Sequence, residues 1–202
     1  MITLERDGGL WIATINRPEK ANSLTADMLD ELAGIAEAAQ EARALILTGT
    51  GSVFSAGADL EAARAGLATS PLWERLSGAI AALPGLSIAA LNGTVAGGAM
   101  GMVLACDLRI AVPNAKVFYP VMKLGFLPQP SDPGRLASLI GPARAKQILM
   151  AGRKIPATDA HAWGLIDELA ESTDLIATAR AMAADTLAAT AEHAAAIKTM
   201  IR

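Results

Sequence analysis

The stretch Asn92–Asp107 (Asn-Gly-Thr-Val-Ala-Gly-Gly-Ala-Met-Gly-Met-Val-Leu-Ala-Cys-Asp) decides the fold class of this 202-residue chain. It follows the run Ser87–Leu91 and stays almost wholly apolar, which predicts a buried strand that turns into a buried helix. Glycines at positions 97, 98 and 101 lie around the start of that helix. Because glycine has no Cβ, a ligand or another chain segment can approach the backbone closely there.

A second turn of the same kind lies at Phe54–Leu60 (Phe-Ser-Ala-Gly-Ala-Asp-Leu), after the strand-like run Ala44–Thr48. The first backbone N–H groups of a helix lack acceptors within the helix and carry partial positive charge. If two such turns converge on one oxygen atom, their N–H groups can stabilise an enolate or a tetrahedral anion. The alternative is that these glycines only permit tight turns and close packing of helices.

The apolar spacing predicts strands that alternate with helices along the chain, and so an α/β domain with a mainly parallel sheet. The predicted strands are Ile2–Glu5, Leu10–Ile15, Ala44–Thr48, Ser87–Leu91, Leu108–Val112 and Leu165–Leu169, with Gly49–Gly57 as a loop. The predicted helices are Thr25–Glu41 with Thr25 as N-cap, segments that reach Ala82, Gly98–Ala105, two helices that meet at Gly141-Pro142 and end near Gly152, Pro156–Trp163 and Ser172–Ile201.

Composition argues against several classes of protein. Hydrophobic residues make up 52% of the chain, and the mean hydropathy is +0.37. The most apolar run, Leu83–Ala105, nevertheless contains Pro84, Asn92 and several glycines, which make a poor membrane-spanning helix. The net charge of −3 without a basic cluster argues against a nucleic-acid partner. A single cysteine cannot form an intrachain disulfide, and the first residues lack a signal-peptide pattern, so we expect a cytoplasmic protein.

The glycine-rich turn does not match the common nucleotide or nucleophile motifs. The spacing of Gly97, Gly98 and Gly101 differs from Gly-x-Gly-x-x-Gly, and the chain has no Gly-x-x-x-x-Gly-Lys-Ser/Thr motif. A serine peptidase on a related fold would need a nucleophilic serine at the turn, but Ala99 and Met100 follow Gly98. No group of His, Cys, Asp and Glu has metal-ligand spacing, so no metal site is predicted.

Four motifs in order resemble the crotonase family, also called the enoyl-CoA hydratase/isomerase family. They are Asn16–Leu24 (Asn-Arg-Pro-Glu-Lys-Ala-Asn-Ser-Leu), the two turns above, and Gly152–Asp167, which ends in Trp-Gly-Leu-Ile-Asp. Together they cover nearly the whole chain. The resemblance implies a crotonase-like spiral of ββα units with C-terminal helices, a homotrimer or hexamer, and an acyl-CoA ligand. Coenzyme A would be the carrier of the substrate, with no separate bound cofactor.

The resemblance also implies roles for individual residues. The backbone N–H groups of Ala58 and Gly98 would form an oxyanion hole for the thioester oxygen. The implied coenzyme A contacts are Lys20 and Ala21 at the phosphopantetheine and phosphate groups, and Ala56, Asp59 and Leu60 at the adenine end. Residues 1–170 would form the acyl-CoA-binding core, and residues 171–202 a shortened C-terminal helical segment used in assembly.

Two positions depart from the family's hydratases. Gly101 stands three residues after Gly98, where those enzymes carry one catalytic glutamate, and Val121 stands where they carry the second. Neither side chain can transfer a proton, so we do not expect ordinary hydration. Decarboxylation and thioester cleavage remain open, the first because two N–H donors stabilise the enolate that forms as CO2 leaves. The alternative is a non-catalytic acyl-CoA-binding or assembly protein.

Asp132 is the ionisable residue nearest in sequence to Gln129. The Asp-Pro pair at positions 132 and 133 favours a cap for a helix that starts at Pro133, so we expect Asp132 to be mainly an N-cap and keep it as a candidate catalytic residue. Gln129 falls where some relatives place an acid, but an amide cannot act as a base. Further expectations are a core or pocket-wall position for Tyr119, solvated positions for Glu61 and Glu74, surface or packing positions for His161 and His193, and a buried Cys106.

Overall fold

The computed structural model describes residues 1–201 and arranges their strands in two sheets. In chain order the strands are β1 (Ile2–Asp7), β2 (Leu10–Ile15), β3 (Ala44–Gly49), β4 (Val53–Ser55), β5 (Leu86–Leu91), β6 (Thr94–Ala96), β7 (Leu108–Ala111), β8 (Lys116–Phe118), β9 (Ile155–Pro156) and β10 (Glu168–Leu169). The predicted hairpin is confirmed, because β1 and β2 pair antiparallel around a glycine turn.

The helices cover the sheets and connect their strands. They are α1 (Ala26–Ala38), α2 (Leu60–Arg64), α3 (Leu72–Ala81), α4 (Ala99–Ala105), α5 (Val121–Leu124), α6 (Asp132–Leu149), α7 (Ala157–Ala162), α8 (Leu175–Ala188) and α9 (Ala191–Ile201). Thr25 caps α1 as predicted, since its hydroxyl accepts a hydrogen bond from the N–H of Met28 at 3.3 Å. The predicted break at Gly141 is also confirmed, as a kink inside α6 at a glycine with φ of 78°.

The chain winds as a spiral in which a strand of one sheet leads into a strand of the other and then into a helix. The larger sheet has the order β1-β2-β3-β5-β7-β10, and all its pairs except β1 with β2 are parallel. The smaller sheet has the order β4-β6-β8-β9. Thus β3 leads to β4 and α2, and β5 leads to β6 and α4. This repetition places the turns that follow β4 and β6 side by side.

The core lies around the central strands of the larger sheet. Both β3 and β5 are continuous apolar runs that are almost fully buried, as expected for parallel strands covered on both faces. Helix α8 packs on β3, β5 and β7, and its buried residues Leu175, Ala179 and Ala183 recur at a spacing of four residues. The division of roles between residues 1–170 and 171–202 stays a prediction, but α8 belongs to the packing of the core.

Several predicted elements were wrong in detail; the predicted strand Leu165–Leu169, for example, is extended only at Glu168–Leu169. The predicted loop Gly49–Gly57 contains β4, which pairs with β6, and strands of three residues are too short to show an alternating pattern. The predicted helix Ser172–Ile201 is two helices, because the backbone of Ala189 is extended between α8 and α9. Helix α6 starts at Asp132 and not at Pro133.

One buried cation fixes the C-terminal end of α4. The guanidinium of Arg109, only 3% exposed, donates hydrogen bonds to the carbonyl oxygens of Cys106 at 2.7 Å and Leu165 at 2.8 Å. It also pairs with the carboxylate of Asp167 at 3.2 Å. Because a buried charge needs such partners, these contacts hold α4 against the segment that leads into β10.

No helix within residues 1–201 is long and apolar enough to cross a membrane.

Candidate active site

The turns before α2 and α4 are in direct contact. A Cβ atom at Gly57 would lie 2.8 Å from the carbonyl oxygen of Ala96 and 3.5 Å from the backbone nitrogen of Gly98. Gly57 also has a φ of 89°, in the left-handed region that favours glycine. Only a residue without a side chain therefore permits this approach, which brings the backbones of Ala58 and Gly98 into one place.

The backbone N–H groups of Ala58 and Gly98 have no hydrogen-bond acceptor among the described residues. Ala58 lies in an extended segment that bridges to Leu24: the N–H of Leu24 donates to the carbonyl of Gly57, and the N–H of Asp59 donates to the carbonyl of Leu24, each at 2.8 Å. The Gly57 carbonyl and the Ala58 N–H belong to one trans peptide group and point in opposite directions. Because the carbonyl points to Leu24, the Ala58 N–H faces away from it. Both N–H groups are free to donate to a ligand.

Trp73 packs against the second of these turns. A Cβ atom at Gly98 would lie 3.1 Å from atoms of the Trp73 indole ring, which is 4% exposed. The indole N–H donates to the carbonyl of Leu67 at 2.8 Å. Sequence reasoning missed Trp73, although its place on the buried face of α3 with Leu76 and Ile80 marks it as a residue that points inward.

The residues expected to contact coenzyme A lie on two adjacent segments. The N–H of Ala56 donates to the carbonyl of Ala21 at 3.0 Å, which joins the segment after Lys20 to the turn before Ala58. Lys20 and Ala56 are exposed, and Leu60 is 77% exposed. Ala21 and Asp59 are half-buried, and the roles of all five residues stay predictions.

Asp59 has structural partners of its own. Its carboxylate pairs with the guanidinium of Arg17 at 2.9 Å and accepts a hydrogen bond from the N–H of Glu61 at 3.0 Å as the N-cap of α2. The Arg17 guanidinium holds the pKa of Asp59 below its usual value. Asp59 therefore fixes the segment that carries Ala58. Glu61 is exposed, as expected.

Asp132 lies at the start of α6 with its side chain 1% exposed. Its Oδ2 accepts a hydrogen bond from the hydroxyl of Tyr119 at 3.0 Å, while Oδ1 has no partner among the described residues. A Cβ atom at Gly101 would lie 3.0 Å from Oδ1 and 3.3 Å from Oδ2. The carboxyl group therefore fills the space that a side chain at position 101 would occupy.

The prediction that Asp132 is an N-cap was wrong, and so was the prediction that Glu74 is solvated. The carboxylate of Glu74, on α3, accepts hydrogen bonds from the N–H of Ser131 at 2.9 Å and from its hydroxyl at 2.7 Å. Asp132 is itself the first residue of the helix, and its carboxyl group makes no capping hydrogen bond. The start of α6 is thus tied to α3, which leaves the Asp132 carboxyl group to face Gly101.

The surroundings of Asp132 raise its pKa to about 6. Burial is the largest cause, and the negative charge of Glu74 adds to it; the hydrogen bond from Tyr119 and the positive charge of Arg135 oppose it. Burial also raises the pKa of Tyr119 well above its usual value, so the hydroxyl remains a donor at neutral pH. Asp132 can therefore exchange a proton near neutral pH.

The remaining predicted positions are consistent with packing or surface roles. Tyr119 is a buried wall residue as predicted, and Val121 is buried at the start of α5. Gln129 is 9% exposed, and its amide donates to the carbonyl of Ala68 at 3.2 Å. His161 and His193 are exposed, Cys106 is buried, and burial raises the pKa of its thiol to about 12. Residues 1–201 contain no cluster of three metal-ligand side chains.

Comparisons with known proteins identify the family of this chain. The family model for enoyl-CoA hydratase/isomerase matches residues 5–202. The chain belongs to the enoyl-CoA hydratase/isomerase family. YngF of Bacillus subtilis is 37% identical to this family member over 182 residues, 86% of this chain and 70% of YngF. The short-chain-enoyl-CoA hydratase of Clostridium acetobutylicum is 34% identical over 195 residues, 90% of this chain and 73% of that protein.

A solved structure agrees with the fold of this enoyl-CoA hydratase/isomerase family member. The enoyl-CoA hydratase from Bacillus anthracis matches it with a TM-score of 0.91 at 31% sequence identity, over 99% of this chain and 81% of that chain. The predicted fold class, an α/β crotonase-like spiral with a mostly parallel sheet and C-terminal helices, is therefore confirmed.

The raised pKa of Asp132 has a consequence for stability. The folded protein binds the proton of the Asp132 carboxyl group more tightly than the unfolded chain does. The stabilisation from this proton is therefore fully present below pH 4 and is lost as the pH rises through about 6. We expect Asp132→Asn to be more stable than the wild type at pH 8, by about 2–3 kcal/mol, with the difference vanishing below pH 4. Urea unfolding between pH 4 and pH 8 measures this difference.

A matched control is Asp27→Asn, which changes an exposed aspartate in the first turn of α1. We expect this variant to change the free energy of unfolding at pH 8 much less than Asp132→Asn does, because the Asp27 side chain is exposed. If Asp132→Asn is destabilised equally at every pH, burial does not disfavour the ionised form of Asp132 and the expectation is wrong.

Proposed function

We propose that this protein binds an acyl-CoA thioester and stabilises the enolate of its acyl group with the backbone N–H groups of Ala58 and Gly98. The supporting observation is that these two N–H groups lack acceptors within residues 1–201 and lie on turns that are in contact at Gly57. A thioester oxygen between them would accept two hydrogen bonds, which strengthen as the enolate charge develops. In comparable sites the loss of one donor costs about 3–4 kcal/mol of transition-state stabilisation.

Coenzyme A is the expected carrier of the acyl group. The relatives from Clostridium acetobutylicum and Bacillus anthracis are enoyl-CoA hydratases by name. In this chain Lys20 is exposed and directly precedes Ala21, whose carbonyl accepts a hydrogen bond from the N–H of Ala56. The ammonium group of Lys20 can attract phosphate groups there. Asp59 and Leu60 follow on the same surface and complete the proposed contact region for the nucleotide.

The side chains at the acyl end favour a reaction other than hydration. Gly101 and Val121 bring no ionisable group, and Asp132 is the carboxyl group that contacts the first turn of α4. With a pKa of about 6, Asp132 is mostly ionised at pH 7 and repels a carboxylate on the acyl group. The site therefore favours an uncharged acyl group, with the enolate formed by loss of a proton and not by loss of CO2.

We further propose that the protein assembles as a homotrimer or hexamer. Exposed apolar side chains are concentrated on α5 and the residues after it, and such patches commonly mark interfaces. They are Met122 (62% exposed), Leu124 (59%), Phe126 (41%) and Leu127 (87%).

Light scattering coupled to size exclusion tests this assembly. We expect a mass of three or six chains for the wild type, and a smaller mass for the double variant Leu124→Asp with Leu127→Asp, because charged groups oppose burial of the patch. A wild-type mass of one chain at micromolar concentration would contradict the proposal.

Substitution of Gly57 tests thioester binding. We expect Gly57→Ala to weaken the binding of butyryl-CoA by about tenfold or more, because the new Cβ collides with the carbonyl of Ala96 and separates the two N–H groups. Calorimetric titration measures the affinity. Gly66→Ala is a matched control: Gly66 also has a positive φ, 101°, but a Cβ there would contact nothing within 4 Å. Equal losses in both variants would show that backbone strain alone causes the effect.

Hydration of crotonyl-CoA tests the reaction class. Each acid or base group in such a reaction typically contributes about 10²–10⁴-fold to the rate, so we expect binding of crotonyl-CoA with little or no hydration. NMR spectra of the thioester during incubation would reveal the hydrated product. Rapid formation of 3-hydroxybutyryl-CoA would refute the inference drawn from Gly101 and Val121.

A further inference from the structure

The carboxyl group of Asp132 has one oxygen that the described protein does not use. Buried polar atoms in folded proteins nearly always have a hydrogen-bond partner, so an exception needs a physical reason. Oδ1 of Asp132 has no partner within residues 1–201, although the side chain is only 1% exposed. Oδ2 is occupied, because it accepts the hydrogen bond from Tyr119.

The unused oxygen lies over the first turn of α4. It is 3.0 Å from the position that a Cβ atom would take at Gly101. The N–H of Gly101 donates to the carbonyl of Gly98 at 3.1 Å, so Gly101 lies one helical turn from the proposed donor at Gly98. The role of Asp132 requires that the acyl group of a thioester bound at the Gly98 N–H extend along this turn toward Asp132.

We propose that Asp132, which reaches across Gly101 from α6, transfers a proton to and from the α-carbon of the bound thioester, with Tyr119 and Glu74 as its positioning residues. This inference rests on the proposed binding of the thioester oxygen by Ala58 and Gly98. In the forward step the bond between the α-carbon and its hydrogen breaks, the electron pair forms the enolate, and the proton goes to Oδ1. The reverse step returns the proton to carbon, and no other reactant is needed.

The positioning residues act in opposite directions on the carboxyl group. The hydroxyl of Tyr119 donates to Oδ2 and favours the ionised form, and Arg135, one turn further along α6, does the same by its charge. Glu74 approaches from α3, is held by Ser131, and favours the protonated form by charge repulsion. Together these groups keep a carboxyl group that can both accept and release a proton near neutral pH.

Exchange of the α-hydrogens with deuterium tests the proposal without requiring knowledge of the natural acyl group. The wild-type protein is incubated in D2O with butyryl-, hexanoyl- and phenylacetyl-CoA, and NMR follows loss of the α-hydrogen signal. We expect Asp132→Asn to slow exchange by about 100-fold or more, with thioester affinity retained. Gly101→Ala should also slow exchange strongly, because its Cβ takes the space of the carboxyl group.

Gly134→Ala is the matched control for Gly101→Ala. Gly134 lies on the same helix as Asp132, and a Cβ atom there would contact nothing within 4 Å. We expect its exchange rate to equal that of the wild type. Asp132→Asn provides an independent readout if Gly101→Ala folds poorly, since it removes a buried charge without adding volume.

A titration separates positioning from simple structural support. With 13C-labelled aspartate, the carboxyl resonance of Asp132 reports its protonation directly. We expect Tyr119→Phe to raise the midpoint, because it removes a hydrogen bond to the ionised form, and Glu74→Gln to lower it, because it removes a negative charge. If Tyr119 and Glu74 only support the fold, neither variant will shift the titration midpoint of Asp132.

The possible failures are distinguishable. If calorimetry detects no binding of any thioester, the proposed function itself fails. If the thioesters bind but the wild type exchanges no α-hydrogen, or if Asp132→Asn exchanges as fast as the wild type, the role of Asp132 is overturned while thioester binding stands. Unchanged midpoints in Tyr119→Phe and Glu74→Gln would overturn the positioning roles alone.

Discussion

The close contact between the turn at Gly57 and the turn at Ala96–Gly98 is the constraint on which the candidate site depends. The spiral places β4 beside β6, so the turns that follow these strands become neighbours. Their separation is then set by one absent side chain, since a Cβ at Gly57 would collide with the carbonyl of Ala96. The two turns therefore approach each other backbone to backbone, and this approach does not depend on the conformation of any side chain.

The acyl end of the site has a different physical character, because it depends on side chains from three parts of the chain. Asp132 contributes the carboxyl group, Tyr119 occupies one of its oxygens, and Glu74 secures the preceding residue. Burial of the carboxyl group lowers the stability of the folded protein at neutral pH. A buried carboxyl group with a raised pKa is common at functional sites, which agrees with the role proposed for Asp132.

Sequence reasoning predicted those features that short segments determine. The hairpin, the cap at Thr25, the break at Gly141 and the two glycine turns each follow from a few neighbouring residues, and all are present. The environment of Asp132 could not be predicted in this way. A cap is the usual role of an aspartate before a proline, but here the helix already begins at Asp132, whose carboxyl group accepts a hydrogen bond from the Tyr119 hydroxyl 13 residues earlier. The three-residue strands β4 and β6 were missed because only their pairing defines them.

The contact between Gly101 and Asp132 also constrains how this sequence can change. A side chain at position 101 would contact the Asp132 carboxyl group, so it can be accommodated only if that carboxyl group moves. Restoring a glutamate at position 101 alone would therefore crowd the site and would not recover a hydratase. The effect of each substitution thus depends on the residue at the other position, 31 residues away in sequence.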